Sequence, residues 1–214
     1  VSGDFYWVKQ IDEQIIMVVA DCTGHGVPGA FMSLIGINLL DNIIYKDGIT
    51  SPQTILDRLH ELLNEAFYHS ESSYQRAGMD AIIFSISKPT PESVKVVFAG
   101  AKNPLNYIVA QETQLQELKG ARKSVGGFTS KMTSFHNQEV NLPVGSIIYA
   151  GSDGFQDQNN RDRRSFTKQR LNKLLEENAS LPLSEQRNAL EKQLEAFMQD
   201  TIQRDDILWI GIRV

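Results

Sequence analysis

The sequence predicts an α+β fold in which two packed β-sheets lie beneath helices. Three observations carry this. From Ala77 onward apolar residues alternate, and "MDAIIFSIS", "SVKVVFAG", "LNYIVAQ", "QLQEL", "TSFHNQEVNL" and "GSIIYAGSD" read as consecutive antiparallel strands with short turns. Segments on either side of that run carry the helical period instead. The chain then closes on the apolar strand "DILWIGIRV".

Taken in order, Phe5–Lys9 and Gln14–Ala20 read as two strands around the short turn "IDE". Val27–Tyr45 reads as a mostly apolar, buried helix with Pro28 in its first turn, where a missing N–H costs little. Ser51 is expected to cap a second helix running to Ser70. Pro52 follows at its first position, and Ile55, Leu56, Leu59, Leu62, Leu63 and Phe67 form one stripe. Phe166–Asn178 and Leu183–Gln199 are the later helices, and the polar stretch "DQNNRDRRSF" is a surface loop. With no repeat, linker or composition break, residues 1–214 read as a single domain.

Composition narrows the function. Apolar content of 41% and charged content of 22% are ordinary for a globular chain. A net charge of −5 argues against nucleic-acid partners and against contact with an anionic membrane, both of which call for a basic face. The single Cys22 has no partner for an internal disulfide and fits a reducing, cytoplasmic setting. No apolar run is expected to reach membrane-span length, and no signal peptide is visible. The chain opens on Val-Ser-Gly-Asp, so it is expected to be excised from a longer, sensor-containing protein that would carry any anchor.

Acidic residues stand at strand ends. Asp4 precedes "FYWV", Asp21 ends "IIMVVA", Asp153 ends "SIIYAGS", and Asp205 and Asp206 precede "ILWIGI". Taken singly, each reads as a turn or cap residue. If several converged at one sheet edge, their mutual repulsion would call for a cation. Hard oxygen donors without a His/Cys cluster suit Mg²⁺ or Mn²⁺ rather than zinc.

"SGDFYW", "DCTGHGVPGAFMS", "GMDAIIFS", "FAGAKNPL", "GSDGFQDQ" and "RDDILWIGIRV" occur in that order from Ser2 to the C-terminus. In these motifs the chain resembles the metal-dependent type 2C Ser/Thr protein phosphatases, in their bacterial SpoIIE-like (RsbU-type) branch. The resemblance implies an α-β-β-α sandwich of two antiparallel sheets, with two Mn²⁺ or Mg²⁺ ions in a cleft at one edge. Asp21 matches the carboxylate that bridges the ions. Asp153 and Asp205 match further ligands of the first ion. The Cys22 carbonyl matches a ligand of the second, and Asp4 an acidic position near it that often acts through water. The turn after Asp21 must present that carbonyl, and Gly24 and Gly26 permit the tight path. The rival reading of Cys22 as a thiol nucleophile lacks a Cys-(X)5-Arg phosphate cradle.

The implied reaction is hydrolysis of phosphoserine or phosphothreonine on a signalling protein, such as an anti-sigma antagonist of a partner-switching pathway, by a metal-activated water. An upstream sensor and a homodimer are implied partners, with the helices after Asp21 either packing on the sheets or relaying regulation. Several roles stay open. His25 lies four residues after Asp21 and either faces the metals or braces the turn. Relatives in the eukaryotic branch hold phosphate with an N-terminal arginine, whereas the first arginine here is Arg58. Lys102 is a candidate helper or a solvated turn residue. Asp80 could approach the cleft or simply sit at a strand end. Asp206 stands behind the ligands or only beside one, and Asp157 caps or solvates. Two other functions are a catalytically silent phosphatase-fold binding module and a hydrolase of small phosphoesters. The presence of Asp21, Asp153 and Asp205 together favours a protein phosphatase.

Overall fold

The computed structural model describes residues 2–24, 26–67, 78–87, 90–127 and 134–214. Its strands are β1 (Asp4–Ile11), β2 (Gln14–Cys22), β3 (Gly78–Ser87), β4 (Ser93–Ala101), β5 (Leu105–Ile108), β6 (Leu115–Leu118), β7 (Val125–Gly126), β8 (Gln138–Pro143), β9 (Ile147–Gly151) and β10 (Trp209–Arg213). Its helices are α1 (Val27–Asp41), α2 (Pro52–Phe67), α3 (Gly154–Asp157), α4 (Lys168–Glu177) and α5 (Leu183–Met198). One sheet runs β1-β2-β3-β4-β8, with β7 added at the end of β3; the other runs β10-β9-β5-β6. Every strand pairing is antiparallel.

Strand β2 shows how the layers arise. Both of its faces are buried, and its alternation sorts side chains between them. Ile16, Val18 and Ala20 pack outward with Leu40, Ile55 and Leu59 from the helices above. Met17 and Val19 point inward, where Phe84, Phe98 and Ile148 fill the space between the sheets. On the far side, Ile147 and Tyr149 of β9 meet Phe155, Leu171 and Leu175. The result is the expected α-β-β-α order. Fully burying a side chain such as Leu59 contributes about 1.5–3 kcal/mol. That packing, rather than propensity, holds α1, which begins with no side-chain cap.

The structure corrects several expectations. The antiparallel strands after Ala77 divide between the two sheets. β4 and β5 lie in different sheets, and the chain changes sheet through the turn at Lys102, where φ is 60°. Strand β8 begins only at Gln138, so 134–137 are not strand. The first helix continues past Asp41 into a π-helical turn, Asn42–Lys46. Together, Val27–Lys46 are long and apolar enough to cross a bilayer by length and composition, contrary to expectation. Here that helix lies on the first sheet, with Met32, Leu40, Ile43 and Ile44 in its core. Ser51 takes the expected N-cap position, its carbonyl accepting from Ile55 N (2.9 Å), but its hydroxyl accepts from Asn137 Nδ2 (3.0 Å) and the side-chain acceptor for Gln53 N is Asn137 Oδ1 (2.9 Å). A residue 84 positions away thus satisfies the helix start, which no local pattern could show. Helix α2 is described to Phe67, so its expected end at Ser70 lies outside the described residues.

Candidate metal centre

The register of three neighbouring strands builds the site. Asp4 of β1 stands opposite Asp21 of β2, and Asp21 stands opposite Asp80 of β3. Directly paired residues share a face. These three carboxylates therefore form one row across the end of the first sheet, continuing the inward-facing line of Met17 and Val19. Asp153 arrives from the second sheet, just after β9, and Asp205 from the segment before β10. Asp21, Asp80, Asp153 and Asp205 all line a cleft of about 660 Å³, together with Cys22, Gly24 and Lys102.

Asp21 sits at the electrostatic centre. Burial, then repulsion from Asp4, Asp153, Asp80 and Asp205, raises its carboxyl from 3.8 to about 8. Asp21 stands directly opposite Asp4 in the β1–β2 register and lines the cleft together with Asp153. Asp4 and Asp153 are also raised, chiefly by burial. Asp4 Oδ2 is buried without a hydrogen-bond partner, a costly state for a carboxylate oxygen. A divalent cation would answer both the orphaned oxygen and the like-charge repulsion, and the all-oxygen donor set suits Mg²⁺ or Mn²⁺.

The remaining candidates divide by what they touch. Asp80 accepts from Ser124 Oγ (2.6 Å) and pairs with Lys102 Nζ (3.1 Å). Asp80 and Lys102 are thus both in the cleft, each engaging the other. Asp206 is not among the residues lining the cleft; it accepts from Gly3 N (2.7 Å), fixing the start of β1 beside Asp4. Gly154 allows this arrangement, because a Cβ there would stand 2.0 Å from the Asp206 carbonyl oxygen. Asp157 acts on Asp153 by repulsion.

Cys22 alternates with Asp21, so its side chain points to the opposite face. It is buried among the outer core residues beside Ser33 Oγ (4.0 Å), and burial pushes its thiol up to about 12. It therefore offers the cleft main chain rather than a thiolate. The turn that follows is pinned by Thr23, whose N–H donates to Gly78 O (2.9 Å) and whose hydroxyl accepts from Gly78 N (2.7 Å). Gly24 and Gly26 then take φ of 91° and 68°, as the tight path demands. His25 lies outside the described residues.

Among the described residues, no three His, Cys, Asp or Glu side chains close round one point as a finished ligand set. Lys102 and Ser124 engage Asp80 instead. Mg²⁺ in any case retains several waters and takes only one or two carboxylates per ion. The residues present fit such a centre.

Comparison with known proteins places these observations. The model of the family "Stage II sporulation protein E (SpoIIE)" matches residues 11–214. The chain belongs to the SpoIIE family. This SpoIIE-family domain is similar to the SiaA-PP2C domain of Pseudomonas aeruginosa, at 32% identity and a TM-score of 0.85, covering 100% of this chain and 81% of that one. It shares its fold with the PP2C phosphatase domain of SpoIIE from Bacillus subtilis, at 16% identity and a TM-score of 0.73, covering 100% and 58%. It also shares the fold of the RsbU and RsbW domains of a Mycobacterium tuberculosis protein, at 17% and 0.71, covering 100% and 55%. Curated protein sequences give no match.

Sequence reasoning missed part of the cleft wall. Arg122, Lys123 and Ser124 reach it from the segment before β7. Their only signal was a basic pair in "GARKSVGG", which carries no period. It also missed His60 of α2, whose Nδ1 accepts from Gly126 N (3.0 Å) and so braces that wall.

Proposed function

We propose that this chain is an active phosphatase that hydrolyses phosphoserine or phosphothreonine on a signalling protein, using two divalent ions, Mn²⁺ or Mg²⁺. The observation that carries the reading is the position of Asp21, opposite Asp4 in the strand register and in one cleft with Asp153 and Asp205. Asp21 would bridge the ions. Asp153 and Asp205 would hold the first, and the Cys22 carbonyl with Asp4 the second. When bound, such ions supply a water that ionises near neutral pH and offset phosphoryl charge. The chain's own part is placement. The β1-β2-β3 register fixes the carboxylate row, Asp206 holds the Asp4 strand, and Lys102 with Ser124 holds Asp80 to one side.

A protein substrate is supported by membership of the SpoIIE family and by likeness to the SiaA-PP2C domain. An anti-sigma antagonist is the substrate class we favour, with an upstream sensor and a homodimer as regulatory partners. Val27, Phe31 and Leu34 expose an apolar face of α1 directly beyond the Asp21 turn, a suitable place for such a regulator to act. We place the domain in the cytoplasm.

The test is turnover of p-nitrophenyl phosphate and of a phosphoserine protein in EDTA, Mg²⁺ and Mn²⁺. Turnover that needs a metal and disappears in Asp21→Asn and Asp153→Asn supports the reading. Turnover that survives EDTA and both substitutions sinks it.

A further inference from the structure

We propose that Arg122 is the residue that grips the substrate's phosphoryl group in the carboxylate cleft. The inference rests on the phosphatase reading and gives that site the anion-binding group the sequence did not reveal.

The cleft is lined by groups of both signs. Asp21, Asp80, Asp153 and Asp205 line it, and Lys102, Arg122 and Lys123 are its cations among the described residues. Two of these cations are already engaged. Lys102 Nζ is paired with Asp80 at 3.1 Å. Lys123 Nζ lies 4.0 Å over the centre of the Phe135 ring and feels the charge of Asp57. Arg122 is exposed on the cleft wall and has neither an ion-pair nor a hydrogen-bond partner among the described residues.

Its backbone, by contrast, is held at both ends. Ala121 bridges to Ala101; its N–H donates to Gly100 O and its carbonyl accepts from Lys102 N, both at 2.7 Å. On the other side Ser124 Oγ donates to Asp80 Oδ1, Val125 and Gly126 pair with Met79 and Gly78, and Gly126 N donates to His60. Arg122 therefore projects from a short, doubly anchored span. Such a span limits the backbone entropy lost when its side chain closes on a ligand.

The charge balance of the cleft says what that ligand is. Two divalent ions would offset four carboxylates, namely Asp4, Asp21, Asp153 and Asp205. An incoming phosphomonoester then adds about two negative charges at neutral pH, with second pKa near 6. An arginine fork matches two phosphoryl oxygens at once, whereas an ammonium is a point charge. Arg122 is the group placed to receive that charge.

The test is calorimetric titration of inorganic phosphate into the chain in excess Mg²⁺, with wild type, Arg122→Ala and Arg122→Lys. Phosphate is expected to bind the wild type, with affinity falling about 10-fold or more in the alanine variant, the scale of charge-assisted hydrogen bonds. The lysine variant should recover part of the loss. Mg²⁺-dependent thermal stabilisation should stay within about twofold of wild type in apparent affinity, since Arg122 is not among the ion ligands. Equal phosphate affinity in wild type and Arg122→Ala, or no phosphate binding by the wild type, overturns the assignment. The phosphatase reading fails separately. A chain that binds phosphate through Arg122 yet turns nothing over would sink catalysis and leave this site standing.

Discussion

Replacing Asp21 with Asn should make the metal-free chain more stable. A strand-end aspartate that merely capped a turn would behave in the opposite way, since its removal costs stability. Asp21 faces Asp4 and Asp80 across adjacent strands, and Asp80 already has Lys102 beside it. Directly opposed side chains stand about 5 Å apart. Two charges at that distance repel by about 3 kcal/mol at an effective dielectric of ~20. Partial exposure of Asp21 screens this, leaving about 1–2 kcal/mol. For a domain of this size that is a rise of about 2–8 °C in melting temperature. The pH dependence fixes the sign. The Asp21 carboxyl is raised from 3.8 to about 8, so ionising it in the fold costs energy that the unfolded chain does not bear. The penalty starts above pH 3.8, grows up to about pH 8 and is constant beyond. Asn, which cannot ionise, escapes it. Thermal unfolding in EDTA, followed by circular dichroism at pH 4, 6 and 8.5, should show no gain at the lowest pH and the full gain at the highest. In saturating Mg²⁺ the ranking should reverse, because binding at a hundredfold excess over Kd stabilises the wild type alone by about 2.7 kcal/mol. An Asn variant that is less stable in EDTA at pH 8.5, or whose gain ignores pH, would refute the reasoning.

Further outcomes follow from neighbouring residues. Asp206→Ala should weaken Mg²⁺ affinity about 10–100-fold by freeing Gly3 and the start of β1, while Asp206→Asn, which keeps an acceptor for Gly3 N, should lose much less in the same calorimetric titration. Cys22→Ala should retain phosphatase turnover within about twofold and resist no better than wild type to thiol reagents, since a thiol raised to about 12 is unreactive at neutral pH. His60 is lowered from 6.5, chiefly by burial and then by Lys123. Its contribution is thus present above about pH 6.5 and lost as pH falls through the lower folded value. Wild type should therefore lose melting temperature relative to His60→Gln between pH 7 and 5.

The parts of the fold fixed by local pattern were legible. The apolar stripe of α2 and the alternation of β3 and β4 announced their elements, and "VVADCTGHG" announced a strand that ends on a carboxylate before a glycine turn. What the sequence hid was long-range. Nothing near Ala101 says that the next strand belongs to the other sheet. The capping of α2 by Asn137 joins residues 84 positions apart. The strand β7 is two residues long and α3 four, too short to show a period. At the site, Asp21, Asp153 and Asp205 were readable as strand-end acids. Asp80 gained its meaning only from its register opposite Asp21, and Arg122 only from anchors on either side of it.

The most direct measurement is a Mn²⁺ titration followed by electron paramagnetic resonance, counting bound ions in wild type and in Asp21→Asn. Two ions per wild-type chain, with at least one lost in the variant, are expected if Asp21 bridges a two-ion centre. No bound Mn²⁺ in the wild type, or full occupancy in the variant, would contradict that centre and the hydrolysis built on it.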